Sequence, residues 1–412
     1  MDKLAKFLQS KKFMVISGFV GLYLISAGLS WIVFSTVASE PSLDLTPGGL
    51  AGERSKIAEL PKTEVCPING GKFSEVERKI WESRRPATVI LQNHPEARPL
   101  SGISKADVVY EAVAEGGVTR FLAVFYCGAA AHDLRVGVIR SARVYFIDWA
   151  SEYGNKPLFL HWGGANNFCS DCPGGVKSRR EVAPEVNAYA LLDELGWRAG
   201  LEGNDFDGGY TVGYPIVVRD QSRLGVEEDQ AEHTPVGFLD ELYKAAAERG
   251  FGYKDGSGTA WDEDFVEWKF ADDAPLGSPK ASKISFEFWS NKPEFDVSWD
   301  YEPAGNRYLR NNGGEKFVDW EFDSVQVSAK NVVVMFVDER GPVDNEKHMF
   351  YETTGEGAAM YFMNGDVIQG SWEKPTQTSR TKFYDENGAE IEFVRGEIWI
   401  EAVPKGNDIE YN

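Results

Sequence analysis

A run of 25 residues without a charge, residues 13–37, lies near the start of the chain. About 20 apolar residues in a helix cross the ~30 Å hydrocarbon core of a bilayer, so the run predicts a transmembrane signal anchor. Residues 1–12 hold four lysines and one aspartate. Positively charged segments beside a transmembrane helix usually stay on the cytoplasmic side of the membrane. Residues 1–12 are therefore predicted to be a cytoplasmic tail, and the bulk of the chain is predicted to be extracytoplasmic. The alternative is a cleaved signal peptide, whose apolar part spans only ~7–15 residues.

The overall charge is acidic and excludes one class of partner. The chain has 43 Lys and Arg against 64 Asp and Glu, a net charge of −21. A surface that neutralises phosphates needs clustered basic residues, so nucleic-acid binding is not expected.

Residues 38–60 are rich in Pro, Gly and Ser and predict a flexible linker. Predicted partners are therefore the membrane, cell-wall components and other envelope proteins, and no cofactor is predicted.

Two patterns follow the linker and predict two domains. Residues 61–230 alternate short apolar runs with helical patterns, which is typical of an α/β domain. Helices are predicted over residues 141–153, 184–195 and 234–249, the last from a Thr cap followed by Pro. Residues 231–405 show alternating and aromatic runs, which predict a mostly antiparallel β domain. Asn364-Gly365 predicts a hairpin turn there, and Trp372 and Trp399 are expected in its core.

The segment Arg135–Asp148 is the richest in candidate chemistry. It reads RVGVIRSARVYFID, a predicted strand that ends at Arg140-Ser141-Ala142-Arg143 and leads into a helix. Amides at a helix start and two guanidiniums would both favour a phosphate or carboxylate. Ligands in α/β sheets bind at the carboxyl ends of strands. The alternative is that Arg140 and Arg143 pair internally with acidic residues and hold the domain together.

Further polar residues follow other predicted strands. His161 precedes Gly163 and Gly164 and would either transfer a proton or donate to a carbonyl in a turn. Glu115 would be a general acid or base or the partner of Arg120, and the salt pair is favoured. The predicted pocket comprises Asn93, His94, Glu111, Glu115, Arg120, Arg140, Ser141, Arg143, His161, Gly163 and Gly164.

The cysteines and histidines do not predict a metal site. Cys169 and Cys172 form one C-x-x-C pair, for which a disulfide or inert thiols are favoured. Cys66 and Cys127 would complete a set of four cysteines, but without zinc-ribbon spacing. No two of the five histidines have metal-ligand spacing on one predicted element. The motifs of serine hydrolases, zinc proteases and P-loop proteins are absent as well.

Several strings of this chain resemble a known family. They include Asn93-His94, residues 97–111, Glu115-Gly116-Gly117-Val118-Thr119-Arg120-Phe121, Arg140-Ser141-Ala142-Arg143, residues 370–372 and Ile398-Trp399-Ile400. Over residues 80–405 they are similar to the YerB-like lipoproteins, bacterial envelope proteins with two linked domains of unknown function. The chain departs from the family in lacking a lipobox cysteine, so its predicted anchor is the apolar helix itself. It also has His233-Thr234 where the family commonly has a Pro-His-Asn string.

Three functional hypotheses follow. The first is a non-catalytic envelope module whose pocket binds an anionic or sugar ligand or a partner. The second is an enzyme acting on phosphate-containing cell-wall or lipid-linked substrates, in which Arg120, Arg140 and Arg143 hold a phosphate. Its layout is similar, at the level of architecture alone, to the LytR-CpsA-Psr phosphotransferases. The third is a structural interaction protein with an internal ion network.

Overall fold

Strands dominate the described part of the chain. The computed structural model describes residues 11, 20–26, 57, 59–167, 182–199, 202–222 and 228–412. The first strands are β1 Glu64–Val65, β2 Lys72–Phe73, β3 Ala87–Gln92, β4 Val108–Glu115, β5 Val118–Phe125, β6 Arg135–Gly137, β7 Leu158–His161, β8 Asp205–Asp207, β9 Val217–Arg219, β10 Pro235–Phe238, β11 Lys269–Ala271, β12 Lys283–Phe286, β13 Val297–Glu302 and β14 Arg307–Asn312. The others are β15 Glu315–Lys316, β16 Val318–Asp319, β17 Val325–Gln326, β18 Ser328–Ala329, β19 Asn331–Val337, β20 Glu339–Arg340, β21 Phe350–Tyr351, β22 Gly355–Met363, β23 Asp366–Lys374, β24 Lys382–Asp385, β25 Glu392–Val394, β26 Ile398–Pro404 and β27 Glu410–Tyr411.

Helices are few and short in these ranges. The α-helices are α1 Glu75–Trp81, α2 Val144–Ala150, α3 Ala188–Glu194 and α4 Leu239–Glu248, and 3₁₀ turns cover Pro95–Ala97, Ile103–Lys105, Pro184–Val186, Glu228–His233 and Pro293–Phe295. A reciprocal cap fixes the start of α1: the Glu77 amide donates to the Ser74 hydroxyl, and the Ser74 amide donates to the Glu77 carboxylate. Such a capping box satisfies two amides that the helix itself leaves unpaired.

One mixed sheet carries the main core of the unit Ala51–Asn412. Its ten strands among the described residues run in the order β24-β23-β22-β19-β26-β4-β5-β3-β7-β8. Strand β26 lies parallel to both β19 and β4, so the sheet includes strands from both sides of the predicted boundary at residue 230. Two smaller sheets accompany it. One is antiparallel, with the order β15-β14-β13-β12-β27 and with β18 beside β14, and the other is three-stranded, with the order β6-β10-β9.

Two sequence patterns predict strand geometry correctly. Asn364 and Gly365 have φ of 58° and 72° and join β22 to β23, which pair from Met363↔Asp366 outward. Two consecutive positive φ values match the hairpin turn that this dipeptide favours. The aromatic runs after residue 260 also form mostly antiparallel strands, and Trp372 and Trp399 are each 2% exposed.

The N-terminal half differs from the predicted α/β arrangement. Strands β3, β5 and β4 are antiparallel neighbours, and among the strands of this half in the main sheet only the pairs β3–β7 and β7–β8 are parallel. Helix α2 begins at Val144 rather than at Ser141, and Arg143 is its N-terminal flanking residue. Residues 235–238 form strand β10, not the start of a helix, because they pair with β6 on one side and β9 on the other. Sheet pairing on both sides outweighs the local signal of Thr followed by Pro.

The predicted membrane anchor lies largely outside the described residues. Residues 20–26, which belong to the unit Met1–Leu50, are helical, with side chains mostly exposed to solvent. Within the described ranges, no helix has both the length and the apolar character required to cross a membrane. Because only residues 20–26 of the predicted anchor are described, the transmembrane prediction for residues 13–37 stays a prediction.

Cys66 and Cys127 form a disulfide, which the sequence did not predict. It closes a loop of 61 residues and joins the β1–β2 hairpin to the end of β5. A Cys₄ zinc site that uses these two residues is excluded, because their sulfurs are bonded to each other. Cys169 and Cys172 lie outside the described residues, so their predicted disulfide stays a prediction.

Removal of the Cys66–Cys127 bond should destabilise the protein. Closing a loop of this length restricts the unfolded chain, and disulfides of this kind typically contribute ~2–4 kcal/mol. We expect the double variant Cys66→Ala, Cys127→Ala to lower the urea midpoint accordingly under oxidising conditions. The matched variant Cys169→Ala, Cys172→Ala removes the other two cysteines, so comparison of the two variants shows whether the loss of stability is specific to the Cys66–Cys127 bond. An unchanged midpoint in the first variant would contradict the assignment.

Candidate functional site

A salt-bridge cluster forms where the hairpin β4–β5 meets the segment before α2. Strand β4 ends at Glu115, and after the turn Gly116-Gly117 strand β5 brings Arg120 back beside it. The Arg120 guanidinium donates to Glu115 Oε1, and also to the Ser141 carbonyl oxygen at 3.1 Å. Arg143 donates to Glu115 Oε2 at 2.6 Å. We call Glu115, Arg120, Arg140 and Arg143 the arginine cluster.

The cluster holds more positive than negative charge. Its three guanidiniums and one carboxylate sum to +2, and the side chains of Arg120 and Arg143 are only 3% and 6% exposed. Burial alone would raise the pKa of Glu115, but Arg120 and Arg143 outweigh it and bring that pKa to about 2. Burial, with the like charge of Arg143, lowers the pKa of Arg120 to about 9. The Glu115 carboxylate is therefore ionised at neutral pH, and the guanidiniums are incompletely compensated.

Arg140 forms the accessible edge of this cluster. It is half-buried and donates to the Glu232 carbonyl oxygen at 3.3 Å, while the Glu232 and Glu115 carboxylates also act on its charge. Within the described structure, the Nε atoms of Arg120 and Arg143 have no hydrogen-bond partner. Ser141 does not cap a helix; its hydroxyl donates to the Trp162 carbonyl oxygen at 3.0 Å.

His161 lies in a separate buried network. Its Nε2 is 2.6 Å from Asp205 Oδ1, and its Nδ1 is 2.7 Å from the Gly163 carbonyl oxygen. Burial would lower the pKa of His161, but Asp205 and Asp207 outweigh it and raise that pKa to about 9. Both ring nitrogens then carry protons and donate, one to a carboxylate and one to a carbonyl. His161 is thus held as a cation without a free nitrogen for proton transfer.

The glycines after His161 complete the same turn. Gly163 has φ +71° and donates its amide to Asp207 Oδ1 at 2.8 Å. Residues with a side chain rarely adopt this backbone conformation. The Gly163 carbonyl oxygen accepts from the Ala142 amide at 2.9 Å, which joins this turn to the segment that carries Arg140 and Arg143.

Asn93 and Glu111 belong to a third, fully buried group around Arg310. Arg310 donates to Glu111 and, at 2.6 Å, to Glu401, and all three side chains are 0% exposed. Glu111 also accepts from the Thr119 hydroxyl at 2.6 Å and the Asn93 amide at 3.2 Å. Burial and the nearby Glu111 charge raise the pKa of Glu401 well above its usual range. Arg310 thus offers a single guanidinium to two buried carboxyl groups.

His94 lies at the end of β3, against a histidine distant in sequence. Its ring stacks on that of His233, with centroids 4.8 Å apart and planes inclined by 22°. His233 Nε2 is 3.1 Å from Glu96 Oε2. Gln92, the last residue of β3, lies 3.0 Å from His233 Nδ1 through its Oε1. On the neighbouring strand β5, Gln92 is paired with Arg120, so the two groups are adjacent.

The predicted pocket thus divides into four groups of different character. Glu115, Arg120, Arg140, Ser141 and Arg143 come together, whereas His161 with Gly163 and Gly164, Asn93 with Glu111, and His94 each join other partners. Sequence reasoning missed those partners, which are Glu96, Asp205, Asp207, His233, Arg310 and Glu401. Apart from Glu96, which lies two residues after His94, these partners gave no signal in their spacing, because they come from distant elements that only the fold brings together.

Several cavities accompany these groups. One cavity of about 1,020 Å³ lies by the smaller antiparallel sheet and is lined in part by Glu287, Trp289, Asp296 and Asp408. Another, about 410 Å³, is lined by Tyr189 and Arg198 of the His161 network. The arginine cluster is a partly exposed surface feature and does not line either of them.

Comparison with known proteins identifies the family. The N-terminal domain of a protein of unknown function, DUF3048, matches residues 74–188, and the C-terminal domain of the same family matches residues 284–400. The chain is also 26% identical over 353 residues to a Bacillus subtilis (strain 168) protein named "Putative lipoprotein YerB", covering 85% of this chain and 90% of the other. This chain belongs to the YerB-like family.

A solved structure supports the same fold. The crystal structure of the YerB protein from Bacillus subtilis aligns with a TM-score of 0.63 at 24% identity, covering 84% of this chain and all of the other. The resemblance expected from the sequence strings is therefore confirmed. The family descriptions name no activity.

Proposed function

We propose that this chain is an extracytoplasmic envelope protein, held at the membrane by residues 13–37, that binds a phosphate-bearing ligand at the arginine cluster. The observation that carries the proposal is the excess of two positive charges over Glu115 at a partly buried site. Guanidiniums bind phosphate through parallel hydrogen bonds. A phosphate dianion would supply the charge that the cluster lacks.

The proposed location rests on independent observations. The relative is named as a lipoprotein, and this chain has a long apolar run where a membrane attachment would stand. The Cys66–Cys127 disulfide also fits export, because such bonds persist mainly in oxidising compartments outside the cytoplasm.

Binding is favoured over catalysis by the state of the candidate acids and bases. Glu115 is an ionised salt-bridge partner, Glu111 is fully buried against Arg310, and His161 donates through both nitrogens. An enzyme acting on phosphate substrates would need at least one of these groups free to move a proton. The enzyme hypothesis therefore has less support than a binding module.

Arg140→Ala should remove anion binding without loss of fold. Arg140 is the most accessible guanidinium of the cluster and has a backbone carbonyl as its hydrogen-bond acceptor. We expect pyrophosphate to raise the thermal midpoint of the full-length protein in detergent; at a hundred times its Kd a ligand adds about 2.7 kcal/mol. Arg140→Ala should abolish the shift and leave the ligand-free midpoint nearly unchanged.

A matched control is Arg78→Ala, which removes an exposed arginine bonded to Glu64 and Glu82. It should keep the full pyrophosphate shift. If pyrophosphate and inorganic phosphate stabilise neither protein, or if the Arg140 variant retains the shift, the cluster is an internal ion network and not a ligand site.

A further inference from the structure

Three side chains from two distant segments converge beside the arginine cluster. His94 and Glu96 follow β3, and His233 precedes β10. One ligand-type atom from each, a ring nitrogen or a carboxylate oxygen, lies within 4.8 Å of the other two. The side chain of His233 is 6% exposed, whereas those of His94 and Glu96 are 38% and 51% exposed. The group is therefore anchored at one side and open to solvent at the other.

Gln92 fixes the orientation of His233. The Gln92 amide nitrogen donates to the Glu232 carbonyl oxygen at 3.1 Å, so its Oε1 faces His233 Nδ1, at 3.0 Å. Because Oε1 can only accept, Nδ1 must carry the proton. In the neutral ring, Nε2 then presents a lone pair toward Glu96 Oε2, 3.1 Å away. Two acceptors at that distance repel each other unless a proton or a metal ion lies between them.

His94 supplies the third ligand-type atom of the group. Its Nδ1 accepts from the Glu96 amide at 3.3 Å and therefore has no proton of its own. That nitrogen is 3.7 Å from Glu96 Oε2. To bind an ion shared with His233 and Glu96, His94 would therefore give up this long hydrogen bond, which its partly exposed position allows.

We infer that His94, Glu96 and His233 form a binding site for a divalent transition-metal ion such as Zn²⁺. Two histidines and one carboxylate are a known zinc ligand set, with the fourth position open to water or to another ligand. The hydrogen bond from His233 Nδ1 to Gln92 is the outer contact that orients metal-binding histidines. This inference does not depend on the proposed anion site.

The spacing of the rings is compatible with one shared ion. A zinc ion about 2.0–2.1 Å from each ring nitrogen would lie about 3.2 Å from each ring centroid. Centroids 4.8 Å apart then correspond to an angle at the metal of about 100°, near the tetrahedral value. Because the ring planes are inclined by only 22°, the in-plane lone pairs run nearly side by side, and the more exposed His94 ring must turn for both nitrogens to reach one ion.

The surrounding charges also permit a cation. Glu232 Oε1 is 4.0 Å from His233 Nε2 and could contribute a fourth ligand. The positive charge of Arg140 opposes a cation here, but the Glu96 and Glu232 carboxylates together offset a divalent ion. Cu²⁺ and Zn²⁺ bind such nitrogen and oxygen sets more tightly than Mg²⁺ or Ca²⁺, which prefer oxygen.

Calorimetric titration of the full-length, metal-stripped protein with ZnCl₂ tests the inference. We expect one equivalent to bind, and Co²⁺ used in place of Zn²⁺ to show the intense visible absorption of a tetrahedral site. His94→Ala and Glu96→Gln, both at partly exposed positions where the fold should survive, should each weaken Zn²⁺ binding by ~10-fold or more. His132→Ala removes a histidine outside the group, whose ring packs against Phe322, and should leave binding unchanged.

Two results would overturn the site. One is a chain that binds no Zn²⁺ in the titration, which would mean that a proton on His233 rather than a metal joins it to Glu96. The other is Zn²⁺ binding that is equally strong in wild type, His94→Ala and Glu96→Gln. If wild type binds Zn²⁺ but shows no thermal shift with pyrophosphate, the anion proposal alone is refuted.

Discussion

Arg310→Ala should destabilise the protein by ~3–5 kcal/mol, because it removes the cation from a buried pair and leaves its partners uncompensated. Arg310 is fully buried on β14 and donates to Glu111 on β4 and Glu401 on β26. These strands belong to the two largest sheets, so the ion pairs join the smaller sheet to the main one. Chemical denaturation of the full-length variant measures the effect.

The matched control lies on the same strand. Arg307 pairs with Glu302 at 2.7 Å, but the two side chains are 43% and 36% exposed. Exposed pairs contribute at most about 1 kcal/mol, so Arg307→Ala should change the midpoint little. Equal losses in the two variants would show that burial does not determine the effect.

The loss in Arg310→Ala should also depend on pH. The Arg310 charge opposes the effect of burial on Glu401, so without the guanidinium the folded-state pKa of Glu401 should rise further. A raised folded-state pKa stabilises the fold below the unfolded value and loses that contribution as pH rises. The variant should therefore be less destabilised at about pH 5 than at about pH 8, while Arg307→Ala shows no such trend.

Local patterns predicted several of the longer strands, because alternation and turn residues act over a few positions. The hairpin at Asn364-Gly365 and the run Ile398-Trp399-Ile400 are of this kind. The order of strands could not be predicted in the same way. The place of β26 between β19 and β4 depends on pairings between segments far apart in sequence, which leave no mark on local periodicity.

The candidate site shows the same limit. The salt pair between Glu115 and Arg120 could be predicted, because a tight hairpin brings the two together. The approach of Arg143 to the same carboxylate, and of His233 to His94, could not. A local capping signal was also misleading at Thr234-Pro235, where pairing on both sides forms a strand.

Trp399→Ala should cost ~3–5 kcal/mol, because it leaves a large cavity at the centre of the main sheet. The indole is 2% exposed and packs against Phe121 and Trp299, with ring centroids 5.4 and 5.3 Å away, and the Arg310 guanidinium lies 4.6 Å from it. The nearby rings are fixed by strands on several sides, so they cannot collapse to fill the space.

Two further variants separate burial from residue type. Trp372→Ala, also at 2% exposure, should show a loss of similar size, whereas Trp320→Ala, at 43% exposure, should stay within about 0.5–1 kcal/mol of wild type. Urea midpoints of the three full-length variants provide the comparison. If Trp399→Ala matched Trp320→Ala, the aromatic packing around Arg310 would not be the core of this sheet, and the expected loss in Arg310→Ala would lose its structural basis as well.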